Sequence, residues 1–407
     1  MKKVIYICSR PPFPVSAGRE YMIAQSLKFL AESAELHVIC FHSDNEDVAV
    51  QPILDLGAES VTNISLNGLI QTLISFIFNP SKPFQQSLYR SPRIKRKIEY
   101  ILNEMQADVI VFDMLRTAHL SELCSSSFVV DYDDLLSARY AMMMSNSGYS
   151  VLGTYEDRLP GFVSYLEPLL RRFLLGHECR AILKEEARYF TKADGILFTS
   201  PKEAREANSL YKSTKAVGVS QAYSVVDVLD FDSLSSSMLF VGNMRTAQNL
   251  ASLKFIVDEV LPELPERFIL SVVGGYDERA VNIADGNPMV KLNGFVDDIY
   301  SVAENCFCAL MPVAFGTGVK TKVLDAMACG IPVVTNSTGA EGLGVIDGEN
   351  ILVANDSSEI SLKVLSLYND VSARIDLGLA GRNYVFSEHS YDRLKKTYLD
   401  VVLGRSS

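Results

Sequence analysis

The chain has 407 residues, of which 48% are apolar and 21% are charged, and its net charge is −11. This length exceeds one ordinary hydrophobic core and predicts two domains of roughly 200 residues each. The acidic balance excludes general nucleic-acid binding, which needs a basic face. An anionic ligand must therefore be bound by a local group of cations.

The seven cysteines are scattered along the chain, and none of them has the spacing of a zinc site. A metal is therefore not expected. The start, MKKVIYICSRPPFP, is broken by prolines too soon for a signal peptide. No apolar run reaches the roughly 20 residues that span a bilayer. These features predict a soluble, cytoplasmic protein.

The first half of the chain alternates apolar runs with helical patterns. The run Val4–Cys8 predicts a buried strand, a proline-rich loop follows, Tyr21–Ala31 has helical periodicity, and Leu36–Phe41 predicts a second strand. This strand–helix–strand order indicates a parallel sheet. Further strands are predicted at Val109–Phe112, Phe128–Val130 and Gly195–Thr199.

A second series of the same kind follows the polar run SLSSS at 233–237, so the domain boundary is predicted near 220–235. Its strands are predicted at Met238–Val241, Phe268–Val273, Val290–Leu292, Phe307–Met311 and Pro332–Thr335, with helical segments near 247–261, 319–329 and 371–384. The predicted fold class is α/β with two doubly wound, Rossmann-like domains. Ligands of such domains bind where the carboxyl ends of the strands open into a central cleft.

One loop of the second series combines glycines with lysines. Residues 314–335 read AFGTGVKTKVLDAMACGIPVVT, a strand end, a glycine loop and a helix that begins with Lys320 and Lys322. A helix start already carries partial positive charge, so lysines there suggest an anion between them and the backbone N–H groups. The alternative is a plain turn with exposed lysines. Helical geometry places Lys322 about 200° away from Lys320, on a different side of the helix.

Four motifs in this order resemble the donor domain of GT-B glycosyltransferases of the retaining group 1, or family 4, type. They are MLFVGN at 238–243, VVGG at 272–275, LNGFVDD at 292–298 and GTGVKTKVLDAMACGIPVVT at 316–335. The resemblance covers about 240–385. In addition, RPPFPVSAGRE at 10–20 is similar to the family's opening glycine loop, and 185–207 resembles the end of its acceptor domain.

The resemblance implies roles for individual residues. Of the family's two acidic positions, the second falls on Asp325, which would bind the ribose hydroxyls, and the first falls on Thr317. The family's two basic phosphate-binding positions fall on Asn243 and Gln248, so Arg245 is the nearest substitute, with Lys320 as its partner. The resulting assignment is Lys320, Arg245 and Asp133 as catalytic residues and Gly18, Gly242, Asn243, Phe295, Thr317, Gly318, Val319 and Asp325 as donor-binding residues.

The resemblance further implies three parts of the chain: an acceptor-side domain at 1–225, a donor domain at 226–385, and a C-terminal helix at 386–407 that packs back on the first domain. It implies a metal-independent transfer of a sugar from UDP- or GDP-sugar to a hydroxyl of a glycan or lipid-linked acceptor, in cell-surface glycan or polysaccharide assembly. Two alternatives stay open. One is a GT-B sugar-nucleotide epimerase, and the other is a binding protein without turnover, suggested by Thr317 and Asn243. A NAD-dependent dehydrogenase is disfavoured because proline replaces a GxGxxG turn after Val4–Cys8.

Acidic residues and a histidine of the first domain are further candidates. Asp131 and Asp133 have the spacing of a metal-binding pattern known from another glycosyltransferase fold, but here they follow a parallel strand. The favoured interpretation is that Asp133 or Asp134 faces the cleft or caps a helix. The family often has a histidine where this chain has Asp113, and His119 is expected either to line the cleft or to lie in solvent.

A strongly apolar segment precedes a basic one in the first domain. Leu69–Phe78 reads LIQTLISFIF, and RSPRIKRK follows at 90–97. The favoured interpretation is a core helix beside a solvated basic face. The alternative is a helix at a membrane surface, which would suit a lipid-linked acceptor and predicts that Phe76 and Phe78 contribute to membrane binding.

Overall fold

The computed structural model describes residues 1–15, 18–44, 46, 48–145, 161–224, 235–296, 299–316 and 319–404. The chain divides into two compact units. The first is Met1–Gln221 together with Leu394–Ser407, and the second is Ala222–Arg393.

The first unit is built on a seven-stranded parallel sheet in the order β3-β2-β1-β4-β5-β6-β7. Its strands are β1 (Lys3–Cys8), β2 (Glu35–His42), β3 (Ser60–Ser65), β4 (Val109–Asp113), β5 (Ser127–Asp133), β6 (Gly195–Phe198) and β7 (Ala216–Gly218). Its helices are α1 (Gly18–Ala31), α2 (Val50–Asp55), α3 (Leu69–Phe78), α4 (Pro92–Met105), α5 (Met114–Ala118), α6 (Leu136–Ser145), α7 (Gly161–Lys192) and α8 (Pro201–Tyr211). Short 3₁₀ turns lie at Phe84–Tyr89 and His119–Leu123.

The second unit is built on a six-stranded parallel sheet in the order β10-β9-β8-β11-β12-β13. Its strands are β8 (Ser237–Val241), β9 (Ile269–Val273), β10 (Val290–Gly294), β11 (Cys308–Leu310), β12 (Val333–Thr335) and β13 (Leu352–Val353). Its helices are α9 (Ala247–Phe255), α10 (Glu278–Ala284), α11 (Tyr300–Ala303), α12 (Thr321–Ala328), α13 (Ser337–Ala340), α14 (Ser357–Asn369) and α15 (Val371–Glu388). Helix α9 is extended by a π-helical turn at Ile256–Val260 and then by a 3₁₀ turn at Leu261–Glu263.

The central strands carry the apolar runs that the sequence displays. In β1 every residue after Lys3 is buried, because helices cover both faces of a doubly wound parallel sheet. Each sheet reverses its strand order next to its first strand, between β1 and β4 in the first unit and between β8 and β11 in the second. Such reversals leave a crevice at the carboxyl ends of the strands.

The last helix, α16 (Tyr391–Val402), enters the first unit at Leu394. There the ring of Tyr398 lies 5.6 Å from that of Phe29 in α1, and Lys395 forms an ion pair of 2.6 Å with Glu32. Tyr398 is fully buried, so α16 is part of the core of this unit.

The predicted fold class is confirmed, and all ten predicted strands are present. No sequence pattern predicts β3, β7 and β13. Strand β3 reads SVTNIS and is mostly half-buried, while β7 and β13 have three and two residues. All three are edge strands, which need less apolar surface than a central strand.

The interpretation of Leu69–Phe78 as a core helix is wrong. Only Thr72 of α3 is buried, and the large apolar side chains on its open side are exposed. Phe76 is the exception, because its ring packs edge-on against Phe84 and His177 at 5.4 Å. Among the described helices, none combines the length and the apolarity that crossing a bilayer requires.

Candidate functional site

Glycine loops follow the first two strands of the second unit. Gly242 comes directly after β8, and its N–H donates to the carbonyl oxygen of Val273 over 2.9 Å. Gly274, directly after β9, has φ +132°, and a Cβ there would lie 2.0 Å from the carbonyl oxygen of Gly242. Only glycine fits at 274, so the two loops meet backbone to backbone at the carboxyl edge of the sheet.

A side-chain hydroxyl and a side-chain amide from the start of α9 hold the loop after β8. The carbonyl oxygen of Asn243 accepts hydrogen bonds from Thr246 Oγ1 and Asn249 Nδ2, both of 3.0 Å, while Asn243 Oδ1 accepts from the N–H of Arg245 at 3.1 Å. Arg245 itself is exposed and lies beside Gly275. Asn243 therefore shapes the loop, and Arg245 projects from it.

Lys320 lies at the other side of this crevice, before α12. It is 5% exposed, and its Nζ donates to the carbonyl oxygen of Gly316 at 3.1 Å. Gly316 has φ +131°, and a Cβ there would lie 3.0 Å from the amide nitrogen of Gln248. The lysine and its loop thus pack towards α9. The predicted donor-binding residues Thr317 and Gly318 lie outside the described residues, and Val319 packs partly buried against the core.

Helical geometry predicts that Lys322 lies on a different side of the helix from Lys320, and this prediction is wrong. Lys320 is the N-cap, with φ −86° and ψ 73°, so a rotation counted from residue 320 does not apply. Lys322 Nζ donates to Asn249 Oδ1 at 2.8 Å and lies 5.5 Å from the centre of the Phe240 ring. Burial, with a further contribution from the charge of Lys320, lowers the pKa of Lys322 to about 8. Both ammonium groups therefore belong to one crevice.

Asp325 lies one turn further along α12 and accepts a hydrogen bond of 2.7 Å from the hydroxyl of Tyr223. The N–H of Tyr223 donates to the carbonyl oxygen of His389, and its carbonyl oxygen accepts from Tyr391. Tyr223 lies two residues after the first unit ends, and no sequence pattern indicates its role. Phe295, the remaining donor-binding candidate of this unit, is 80% exposed directly after β10.

The crevice of the first unit contains carboxylates instead of lysines. Asp113 ends β4, Asp131 and Asp133 end β5, and Arg19 from α1 forms ion pairs with all three, at 3.2 Å to Asp131 and 3.4 Å to Asp133. Gly18 begins α1, and a Cβ there would meet no atom within 4 Å. The sequence pattern identified the aspartates but missed Arg19, whose side chain is buried.

The pKa values of Asp113 and Asp131 shift in opposite directions, although Arg19 pairs with both carboxylates. Burial favours the neutral acid of Asp113, but Arg19 and the N–H of Ser9, at 2.7 Å, outweigh it and lower the pKa of Asp113. At Asp131 burial dominates and raises the pKa. Asp133 has φ +67°, a conformation that non-glycine residues rarely adopt and that is common at functional sites. Among the described residues, no group of acidic residues, histidines and cysteines could hold a metal ion.

Two further candidates of this region are buried. Asp134 is buried against Arg139, and burial raises its pKa to about 6, so it does not face solvent. His119 is 4% exposed, which excludes a solvated surface histidine. Its Nδ1 lies 3.0 Å from the carbonyl oxygen of Arg116, and its ring lines a pocket beside α3 and α4.

Comparisons with known proteins agree with this architecture. Residues 235–370 match the family model described as "Glycosyl transferases group 1". An uncharacterized 44.6 kDa protein in the cps region of Klebsiella pneumoniae is 22% identical, over 97% of this chain and 98% of that protein.

Two solved structures have the same fold over nearly the full length. Sucrose-phosphate synthase from Thermosynechococcus elongatus has a TM-score of 0.66 and 16% identity, over 97% of this chain and 96% of that chain. The Anabaena protein HepE in complex with UDP has a TM-score of 0.64 and 15% identity, over 98% of this chain and 99% of that chain.

Proposed function

We propose that this chain, a group 1 glycosyltransferase with the GT-B fold, moves a sugar with retention from a nucleotide diphosphate sugar to a hydroxyl acceptor in cell-surface glycan or polysaccharide assembly. The observation that carries the proposal is the pair Lys320 and Lys322 at the β8/β11 crevice. In a chain of net charge −11, two partly or fully buried lysines beside glycine loops favour a diphosphate ligand.

The lysines would act on the leaving group. As the bond to the sugar breaks, negative charge gathers on the diphosphate while the anomeric carbon becomes cationic. Lys320, Lys322 and the exposed Arg245 would stabilise that charge, and cations already held in place cost no reorganisation at the moment of reaction. Lys320 would exchange its hydrogen bond to the Gly316 carbonyl for one to a phosphate oxygen.

Asp325 would accept hydrogen bonds from the ribose hydroxyls. The hydroxyl of Tyr223 already donates to its Oδ1 and so restricts the carboxylate to one orientation. The Anabaena protein is in complex with UDP, which supports a uridine nucleotide as the first donor to test. GDP-sugar is the other donor class in the proposal.

The acceptor would belong to the first unit. Asp133 is the least buried of the carboxylates around Arg19, so we assign it to the acceptor hydroxyl. The acceptor class is a glycan or a lipid-linked sugar. All seven cysteines are free thiols, which suits a reducing compartment, and we propose that the enzyme works in the cytoplasm.

A thermal-shift panel of UDP-, GDP- and ADP-sugars tests the donor. The correct donor at about 100 times its Kd should stabilise the protein by about 2.7 kcal/mol, while the others should not. Product analysis by NMR then tests the reaction, with retention of the anomeric configuration in the transferred sugar as the expected result. An epimerised nucleotide-sugar formed without acceptor would indicate the epimerase instead, and binding without any product would indicate a binding protein.

A further inference from the structure

Helix α3 presents an open apolar face. Ile70, Ile77 and Phe78 are 74%, 70% and 80% exposed, and Leu73 and Ile74 lie between them. Side chains scattered singly on a surface need no explanation, but a continuous apolar face marks a contact with a partner or a membrane.

Helix α4, which begins fourteen residues after α3 ends, presents the opposite chemistry. Arg93, Lys95, Arg96 and Lys97 are all exposed in its first two turns. A helix N-terminus favours anions, and none of the first-turn residues of α4 is acidic. In a chain with net charge −11, this is a local concentration of positive charge next to an apolar helix.

A pocket of about 610 Å³ lies between the two features. Its apolar lining includes Ile74 and Phe78 from α3 and Leu120 from the turn that follows α5. Arg90, Ser91 and Lys95 supply its polar side at the start of α4. The pocket is thus lined by the cations Arg90 and Lys95 on one side and by the open face of α3 on the other.

Two nitrogens of the half-buried Arg90 lack hydrogen-bond partners among the described residues, although its charge acts on the nearby carboxylate of Glu122. Its Nε and Nη2 are inaccessible to water and form no hydrogen bond within the described part of the chain. The carboxylate that lines the pocket, Glu122, is already paired with Arg188 at 2.5 Å. Buried polar groups are nearly always hydrogen-bonded, and a charged one without a partner is especially costly.

His119 is a second buried group that lines the same pocket. Its Nδ1 donates to the carbonyl oxygen of Arg116 at 3.0 Å, and the backbone of Tyr89 is a further hydrogen-bonding neighbour of the ring. Burial, with a smaller contribution from the charge of Arg90, lowers the pKa of His119 to about 3. The ring is therefore neutral and adds no positive charge, so Arg90 and Lys95 are the cations that line the pocket.

We propose that this pocket binds the phosphate headgroup of an anionic membrane lipid through Arg90 and Lys95, with the open face of α3 lying among the acyl chains. The charge of the pocket selects the headgroup, and its apolar wall distinguishes a lipid from a soluble anion. The proposal concerns the first unit alone and does not depend on glycosyl transfer.

The position of the pocket gives the lipid a place next to the carboxylate crevice. Tyr89, which lines the pocket, donates its hydroxyl hydrogen to the carbonyl oxygen of Ser9 at 2.8 Å. The N–H of the same Ser9 donates to Asp113. Ser9 therefore connects the pocket to the carboxyl edge of β1 and β4. A headgroup bound in the pocket would lie beside that edge.

Vesicle sedimentation with the full chain tests the proposal, using phosphatidylcholine vesicles with and without phosphatidylglycerol. We expect binding only with phosphatidylglycerol, and weaker binding as salt rises. Arg90→Gln and Lys95→Gln should each weaken binding about fivefold or more, the usual contribution of one cation at an anionic surface. Ile70→Gln combined with Ile77→Gln should abolish it.

Matched controls lie on α8. Arg205→Gln removes the same charge and Leu210→Gln removes a comparably exposed apolar side chain, and both should bind as the wild type does. Equal losses of vesicle binding for Arg205→Gln and Arg90→Gln would mean that the membrane attracts any surface cation of the protein, which would overturn the proposed role of the pocket. Binding of inorganic phosphate or farnesyl phosphate without binding to vesicles would overturn the proposal that the ligand is a membrane lipid. If Arg90→Gln does not fold, Lys95→Gln, whose side chain is 60% exposed, decides the question.

Discussion

The carboxyl edges of the two sheets have the same topology and opposite chemistry. At the reversal point of the first sheet, Asp113, Asp131 and Asp133 surround a single Arg19. At the reversal point of the second, glycine loops surround Lys320 and Lys322, with Asp325 one turn away.

This difference shows which property each level of structure supplies. The doubly wound topology supplies a crevice in both units, because the loops diverge where the strand order reverses. Side chains then decide which ligand can enter it. We propose that the lysines of the second crevice attract a diphosphate and that the carboxylates of the first crevice repel it. This contrast supports the assignment of donor to the second unit and acceptor to the first, which the family resemblance implies.

The largest effect is expected from removing the cation of the first crevice. Arg19→Met removes the buried cation that all three carboxylates share, although Arg139 remains 4.0 Å from Asp133. Breaking such a buried group costs about 3–5 kcal/mol of unfolding free energy. The carboxyl pKa values in the folded variant should then lie above those of the unfolded chain. The loss should therefore be largest at neutral pH and shrink as the pH falls and the carboxylates take up protons.

Urea denaturation at about pH 7 and about pH 5 measures this effect. Arg205→Met on the exposed side of α8 is the control, and it should leave the unfolding free energy within about 0.5 kcal/mol. A fully stable Arg19→Met protein would mean that the aspartates are already neutral.

The next largest effect is expected in catalysis. Lys320→Ala should lower kcat by about 10²–10³, the usual loss for one electrostatic stabiliser, with a smaller effect on donor Kd because the charge on the leaving oxygen grows towards the transition state. Lys322 is unsuitable as a control because it shares the crevice. Lys254→Ala on α9, where the lysine is exposed and paired with Asp258, should leave kcat unchanged. An equal loss of kcat in the Lys320→Ala and Lys254→Ala variants would mean that Lys320 has no specific role in the reaction.

A smaller effect is expected in the pH dependence of UDP affinity. Because the pKa of Lys322 is about 8, this residue is charged below that pH and neutral above it. UDP affinity should therefore fall by up to about tenfold between about pH 7 and about pH 9, since one charge-assisted hydrogen bond is lost. Lys322→Met should bind more weakly at the lower pH and show no such fall. A wild-type affinity that is flat across this range would contradict the assignment.

The smallest effect is expected at Tyr223. Tyr223→Phe removes only the hydroxyl that donates to Asp325, so the donor KM should rise a few-fold through the loss of one neutral-to-charged hydrogen bond, with kcat nearly unchanged. Asp325→Asn should raise the donor KM more than Tyr223→Phe does. If Tyr223→Phe changes kcat instead, the tyrosine acts on the reacting groups and not through Asp325.

The sequence predicted the central strands because their apolar runs are long, and it predicted the lysine loop because glycines and cations are visible in one dimension. It could not place Lys322 correctly, since the direction of that side chain depends on Lys320 being the N-cap and not a helical residue. Arg19 and Tyr223 were missed for a related reason. Each reaches its carboxylates across about a hundred residues of chain, and no local pattern records such a contact.

The exposed face of α3 was misread for the opposite reason. Apolar content alone does not distinguish a helix that packs in a core from one that lies open, because both have the same composition. The basic start of α4 is compatible with both cases, and the structure adds the pocket and the two unpartnered nitrogens of Arg90 that lie between the two helices.

The most direct test of the central claim compares UDP with uridine by isothermal titration calorimetry on the wild type and on Lys320→Ala. Uridine has the base and the ribose but no phosphate, so it reports the Asp325 side of the crevice alone. We expect that Lys320→Ala weakens UDP binding about tenfold and leaves uridine binding unchanged. Unchanged UDP binding, or equal losses for UDP and uridine, would mean that the diphosphate does not lie at Lys320.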